Sequence, residues 1–220
     1  MTPTILSRPR LEQLIQQGVQ WIRAHREQSW AIAGTVVGAV VILSFVIQRR
    51  QTENNEAWTQ LGVSQGYLLQ GQTGEAGKAL DLWFSRFQGT SAESYARFLR
   101  ADLLYGTTDY AGAARLYGEL AQTGQPPDVR PLALAAQCAA EETSGRLAEA
   151  QALAQRFLDS YPDHFLAASI YISQARLAEL TGDPSNATAI YDRFVVLYPQ
   201  SPWTDLARAR LLALGAPAKK

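Results

Sequence analysis

Shifted against itself by 37 residues, the chain superposes four of its own segments. Gly71, Thr108, Gly145 and Gly182 each start a turn, and Ala76, Ala113, Ala150 and Ala187 follow five residues on. Trp83, Leu120, Phe157 and Phe194 come seven residues after those. Four residues further, Phe87, Tyr161 and Tyr198 supply an aromatic, with Gly124 the exception. Ahead of each turn the matching register holds Ser64, Ala101, Cys138 and Ala175. A fixed period of this length marks an array of supersecondary units, each of which buries its apolar face only against its neighbours.

The units read as helical hairpins. A small residue on the first helix facing an alanine on the second lets two helix axes approach to roughly 8 Å, while the bulky residue further along reaches the next hairpin. Helix boundaries agree: Thr90 with Glu93 can form a capping box, Asp183 before Pro184 and Ser201 before Pro202 mark helix starts, and Pro162 and Pro199 stop the second helices. No stretch alternates apolar and polar residues long enough for a strand. The expected fold is all-α, an α-solenoid of about four hairpins over residues 49–215 with a C-terminal capping helix, followed by a tail at 216–220.

Ahead of the repeats lies a second signal. No charged residue occurs between Glu27 and Arg49, and Trp30 to Ile47 is apolar apart from Gly, Thr and Ser. At about 1.5 Å of rise per residue this run is roughly 27 Å long, close to the hydrocarbon thickness of a bilayer. A secretory signal peptide would need a small-residue cleavage site, and Ser44 to Arg50, SFVIQRR, has none. Residues 30–48 are therefore expected to be an uncleaved transmembrane signal-anchor. Arg8, Arg10, Arg23 and Arg26 precede it and only Arg49 and Arg50 follow closely. This bias places residues 1–29 in the cytoplasm and the repeat domain outside it. Within 1–29, Leu11, Leu14, Ile15, Val19 and Ile22 recur at helical spacing, as in an amphipathic helix on the membrane surface or a helical extension of the anchor.

Charge excludes one partner class. Residues 1–50 carry six Arg against two Glu, and residues 51–220 carry 14 Lys and Arg against 18 Asp and Glu. An acidic domain lacks the basic stripe that nucleic-acid binding requires. Catalysis is not expected either, because it needs a nucleophile, a base and a charge stabiliser in one pocket. His25 and His164 belong to different parts of the chain, Cys138 occupies a small-residue packing slot, and Glu141 and Glu142 read as a solvated helix face. No phosphate-binding loop or metal-ligand spacing is present, so neither enzyme activity nor a cofactor is expected.

The segments GDPSNATAIYDRFVVLYP (182–199) and GRLAEAQALAQRFLDSYP (145–162) resemble the second helices of tetratricopeptide repeats, with a fair match at 107–120 and a weak one at 71–87. The period here is 37, where that family has 34. The segment 198–215 resembles the closing segment of bacterial envelope repeat proteins. With its basic lead, single span and repeat array, nearly the whole chain resembles the YfgM-like family of inner-membrane proteins with a periplasmic tetratricopeptide domain. That resemblance implies association with the Sec translocon and periplasmic chaperones.

Repeats of this family bind peptides along their first helices. Carried onto this sequence, the register gives groove positions Trp58, Leu61, Gln65 and Leu68, then Tyr95, Phe98, Asp102 and Tyr105. Leu132, Ala135, Ala139 and Glu142 follow, then Ser169, Ile172, Arg176 and Glu179. Members that clamp a peptide carboxylate use Lys and Asn in these slots, and only Arg176 is comparable. The expected binding set is Trp58, Leu61, Gln65, Tyr95, Phe98, Asp102, Tyr105 and Arg176, with aromatic rings as interface anchors. The alternative role is a scaffold that homo-oligomerises through its repeats or its anchor.

Overall fold

Turns that force the backbone into the left-handed region recur through the chain. A computed structural model describes residues 26–215, and there Gly71, Gly145, Gly182 and Gly215 have φ between 72° and 84°. Thr108 holds φ 68° in the turn where the other three repeats place glycine. Gly71, Thr108, Gly145 and Gly182 each end one helix and reverse the chain into the next.

Nine helices occur among the described residues: α1 (Arg26–Leu69), α2 (Thr73–Arg86), α3 (Glu93–Gly106), α4 (Tyr110–Thr123), α5 (Val129–Thr143), α6 (Leu147–Ser160), α7 (Ala167–Leu180), α8 (Pro184–Leu197) and α9 (Thr204–Ala213). The chain divides after Glu53 into two compact units. In the second unit the end of α1 pairs with α2, α3 with α4, α5 with α6, and α7 with α8, and α9 packs on α8. This is an all-helical solenoid of four hairpins and a closing helix.

The repeated positions are its core. Ala76, Ala113, Ala150 and Ala187 have no exposed surface, and Ser64, Ala101, Cys138 and Ala175 face inward with them. Trp83, Leu120, Phe157 and Phe194 are buried beside them. Buried polar groups are paired: the Trp83 indole donates to the Ala57 carbonyl at 2.8 Å and the Gln174 amide to Gln155 at 2.7 Å. The Cys138 thiol donates to the Ala150 carbonyl at 3.2 Å, and burial pushes it up to about 12, so it is a packing group without thiolate reactivity. Phe87, Gly124, Tyr161 and Tyr198 are the C-caps of the four second helices. Gly124 is the exception for a steric reason, since a Cβ there would lie 2.6 Å from the Leu120 carbonyl oxygen.

Helix ends differ from the expectation at two places. Asp183 caps α8 by accepting the Asn186 N–H, with Pro184 in the first turn, as expected; Asp109 caps α4 likewise. Thr90 and Glu93 form no capping box. The Thr90 hydroxyl donates to the Phe87 carbonyl, and the Glu93 carboxylate accepts the Gly89 N–H. Ser201 does not start a helix. Its carbonyl accepts the Thr204 N–H in a turn, and α9 begins at Thr204.

Helix α1 runs without a break through the end of the apolar run and into the first repeat. Within the first unit Val36, Val37, Val40, Val41, Ile42, Leu43 and Phe45 are all exposed. Among the described residues no helix is long and apolar enough to cross a membrane. The described side chains of the run are Trp30 and those at 34–47, short of the roughly 20 residues a span needs. The amphipathic stretch from Leu11 to Ile22, Arg8, Arg10, Arg23, His25 and the tail at 216–220 lie outside the described residues.

Candidate binding groove

The small-residue register that packs α1, α3 and α5 each against its partner second helix also sets which side chains are left over on their other faces. Trp58, Leu61 and Gln65 from α1, Tyr95, Phe98 and Asp102 from α3, and Leu132 from α5 line one depression of about 300 Å³. Six of the eight expected binding residues thus lie together. Leu99 and Val129 complete the lining; they fall outside the groove register and belong to the core set, so spacing alone did not mark them. A second, larger hollow of about 660 Å³ shares Trp58 and Tyr95 and is otherwise lined by residues of the connections and helix ends beside them, including Ser91, Ser94, Leu120, Thr123 and Gln125.

Two aromatic contacts shape the groove. The Trp58 and Tyr95 rings meet with centroids 5.0 Å apart, and the Trp58 indole N–H donates to the Ser91 hydroxyl at 3.2 Å. Trp58 remains 42% exposed, which makes it available to a partner. Phe98 is different. Its ring meets Tyr117 edge-on at 5.2 Å and packs against two core clusters, so it is as much a structural joint as a groove residue.

Tyr105 and Arg176 are not in this depression. The Tyr105 ring packs on Tyr110 at 5.2 Å and its hydroxyl shares a 2.8 Å hydrogen bond with Thr143, which ties the second repeat to the third. Arg176 reaches back to Glu142 at 2.7 Å and ties the fourth repeat to the third. Arg210 of α9 does the same with Glu179, whose other partner is the Tyr191 hydroxyl at 2.8 Å. Glu141 pairs with Arg146. The expectation of a solvated face at Glu141 and Glu142 is therefore corrected: both side chains are mostly covered and ion-paired, Glu141 with Arg146 at the turn of its own hairpin and Glu142 with Arg176 of the next repeat.

The electrostatics of the groove centre on Asp102. It is half-buried, and burial holds its carboxyl above the ordinary carboxylate range, while the hydroxyl of Tyr117, which donates to it, pulls the other way. Its own burial, and then the same contact, raise the Tyr117 hydroxyl. The sequence carried a signal for this pair: Tyr117 and Tyr191 occupy the same repeat slot, and each meets an acid from the preceding helix. His164 is held elsewhere, its Nδ1 accepting the Leu166 N–H at 3.2 Å and its ring packed on Phe157. Among the described residues no three acidic, His or Cys side chains are grouped to hold a metal.

No family model matches the chain, and no curated protein matches it. Solved structures do match, among them two of one repeat protein. One is of nearly identical TPR-like repeats from a kinesin-light-chain-like protein of Podosopora anserina: 14% identity, 73% of this chain and 86% of that one covered, TM-score 0.59. The other is a Q17M form of the same repeats, also at 14% identity and a TM-score of 0.59, covering 73% and 85%. At this identity the likeness concerns the fold, and the repeat domain has a tetratricopeptide-like fold.

Proposed function

We propose that the chain is a membrane-anchored interaction module that holds a protein or peptide segment in the groove between α1, α3 and α5. A tetratricopeptide-like solenoid offers an extended surface suited to protein partners. The carrying observation is the convergence of Trp58, Leu61, Gln65, Tyr95, Phe98 and Asp102 on one depression, with a partly exposed tryptophan at its side. Large rigid rings beside a small apolar hollow are the usual anchors of an interface.

The anchor is the run from Trp30 to Ile47. Its support is a helix bearing apolar side chains on every face, an arrangement suited to lipid. With the arginine bias, the repeat domain lies outside the cytoplasm of a bacterial inner membrane. The resemblance to the YfgM-like family makes translocon subunits and periplasmic chaperones the first partners to examine. The module has no catalytic role in this reading.

Trp58→Ala tests the proposal, because that side chain is exposed enough to be removed without opening the core. Loss of a hot-spot aromatic costs about 2 kcal/mol or more, roughly thirtyfold in affinity. Co-purification from detergent-solubilised membranes should lose the partner. Undiminished recovery by a folded Trp58→Ala variant would rule out this groove.

A second reading, self-association, draws on the exposed Phe165 in the connection ahead of the last repeat and on Leu206 and Leu212 of α9. Sedimentation over a concentration series separates the two, since only a scaffold changes mass with protein concentration.

A further inference from the structure

We infer that Asp102 makes the groove a receptor for a cationic side chain, so that the segment bound there carries a lysine or arginine flanked by apolar residues. This rests on the groove reading above and specifies its ligand. Asp102 is the one charged residue lining the depression, among Leu61, Phe98 and Leu132. Its one hydrogen-bond donor among the described groups is the neutral Tyr117 hydroxyl, which leaves acceptor capacity on the carboxylate.

Elsewhere along the solenoid the acids of α3, α5 and α7 are paired with a cation, Glu93 with Arg97 and Glu141 with Arg146. Glu142 receives Arg176 and Glu179 receives Arg210. Asp102 occupies a different slot, that of Ala139 and Arg176 in the later repeats, and the residue 34 positions on from it, as Arg176 is from Glu142, is Ala136, which brings no cation. Asp102 thus has no cation beside it among the described residues, and a half-buried carboxylate is left facing an apolar hollow. A half-buried anion without a counter-charge costs folding free energy, and a ligand ammonium or guanidinium placed there gains a charge-assisted hydrogen bond in a partly desolvated site. The apolar lining takes the flanking side chains. A free peptide carboxylate would be repelled by the same group, which reverses the preference of groove clamps built from lysine.

Fluorescence anisotropy on the full chain in detergent micelles tests this. The probes are dye-labelled octapeptides blocked at both ends, in which one central residue between leucines is lysine, norleucine or glutamate. The lysine peptide should bind about tenfold tighter than the norleucine peptide, and the glutamate peptide weakest. Asp102→Asn should erase the lysine preference by weakening lysine-peptide binding about tenfold, to the level of the norleucine peptide, and Asp102→Glu should retain it. The Asn variant in the same micelles also corrects for partition of peptide into detergent. It should melt no lower than the parent, which excludes unfolding as the cause.

Equal affinities for all three peptides, no binding by any, or a lysine preference that survives in Asp102→Asn would each overturn the inference. If the peptides bind equally and Trp58→Ala abolishes their binding, the groove stands and only the cation subsite falls.

Discussion

Thr108 is the one non-glycine residue with a left-handed backbone among the described residues, and its replacement by glycine should stabilise the protein. An L-residue in that region loses about 1–2 kcal/mol to contact between its Cβ and the carbonyl oxygen, and a branched side chain relieves none of this. Glycine removes the strain but adds unfolded-chain entropy that costs roughly 0.5–1 kcal/mol. The net gain is about 0.5–1 kcal/mol, because Thr108 is exposed and its removal opens no cavity. The neighbouring Thr107 keeps its own hydrogen bond to the Leu103 carbonyl. For a domain of this size 1 kcal/mol moves the melting temperature by roughly 2–4 °C, so Thr108→Gly should melt about 1–4 °C higher in calorimetry of the purified chain. The mirror experiment, Gly145→Thr, imposes at φ 84° what Thr108 already bears and should lower the melting temperature. A Thr108→Gly protein that melts lower than its parent, or a Gly145→Thr protein that melts unchanged, would refute the assignment of strain to this turn slot.

Ala187→Leu should overpack a crossing with no exposed surface and cost about 1–3 kcal/mol, whereas Glu149→Gln on an exposed face should change little; urea denaturation followed by circular dichroism separates them. Glu179 is held below its ordinary value of 4.5, first by Arg210, so it contributes stability above that value and loses it as pH falls through its lower folded value. Glu179→Gln should therefore reduce stability at pH 7 and flatten the fall in melting temperature below about pH 4.5. An alkaline-phosphatase fusion after Lys220 should be active if the arginine bias sets the orientation; an inactive fusion with an active cytoplasmic reporter reverses it.

The 37-residue register read from the sequence placed Ala76, Trp83, Ser64 and their equivalents where the structure buries them, because close helix packing demands small residues at fixed intervals and tolerates little else. Six groove positions were legible for the same reason: a residue in the first helix that is not at the packing stripe must point to another face. What the spacing did not carry was pairing between repeats. Arg176 looks free in sequence but meets Glu142, 34 residues earlier, and Tyr105 meets Thr143, 38 residues later. Such partners depend on the offset between successive hairpins, which a repeat length does not specify. Phe98 likewise sits on the groove register, yet its contact with Tyr117 binds it into the core. For that reason Trp58, and not Phe98 with Tyr105, is the substitution that separates binding from folding.

The central claim is that the partner lies against α1, α3 and α5. Photo-crosslinking in living cells tests it most directly, with a benzophenone side chain placed at Gln65 in the groove or at the exposed second-helix positions Ala111 and Arg156. A protein crosslinked from Gln65, absent from Ala111 and Arg156 and lost when Trp58 is also changed to alanine, is the expected result. The same adduct formed from Ala111 and Arg156, with Gln65 silent, would contradict it.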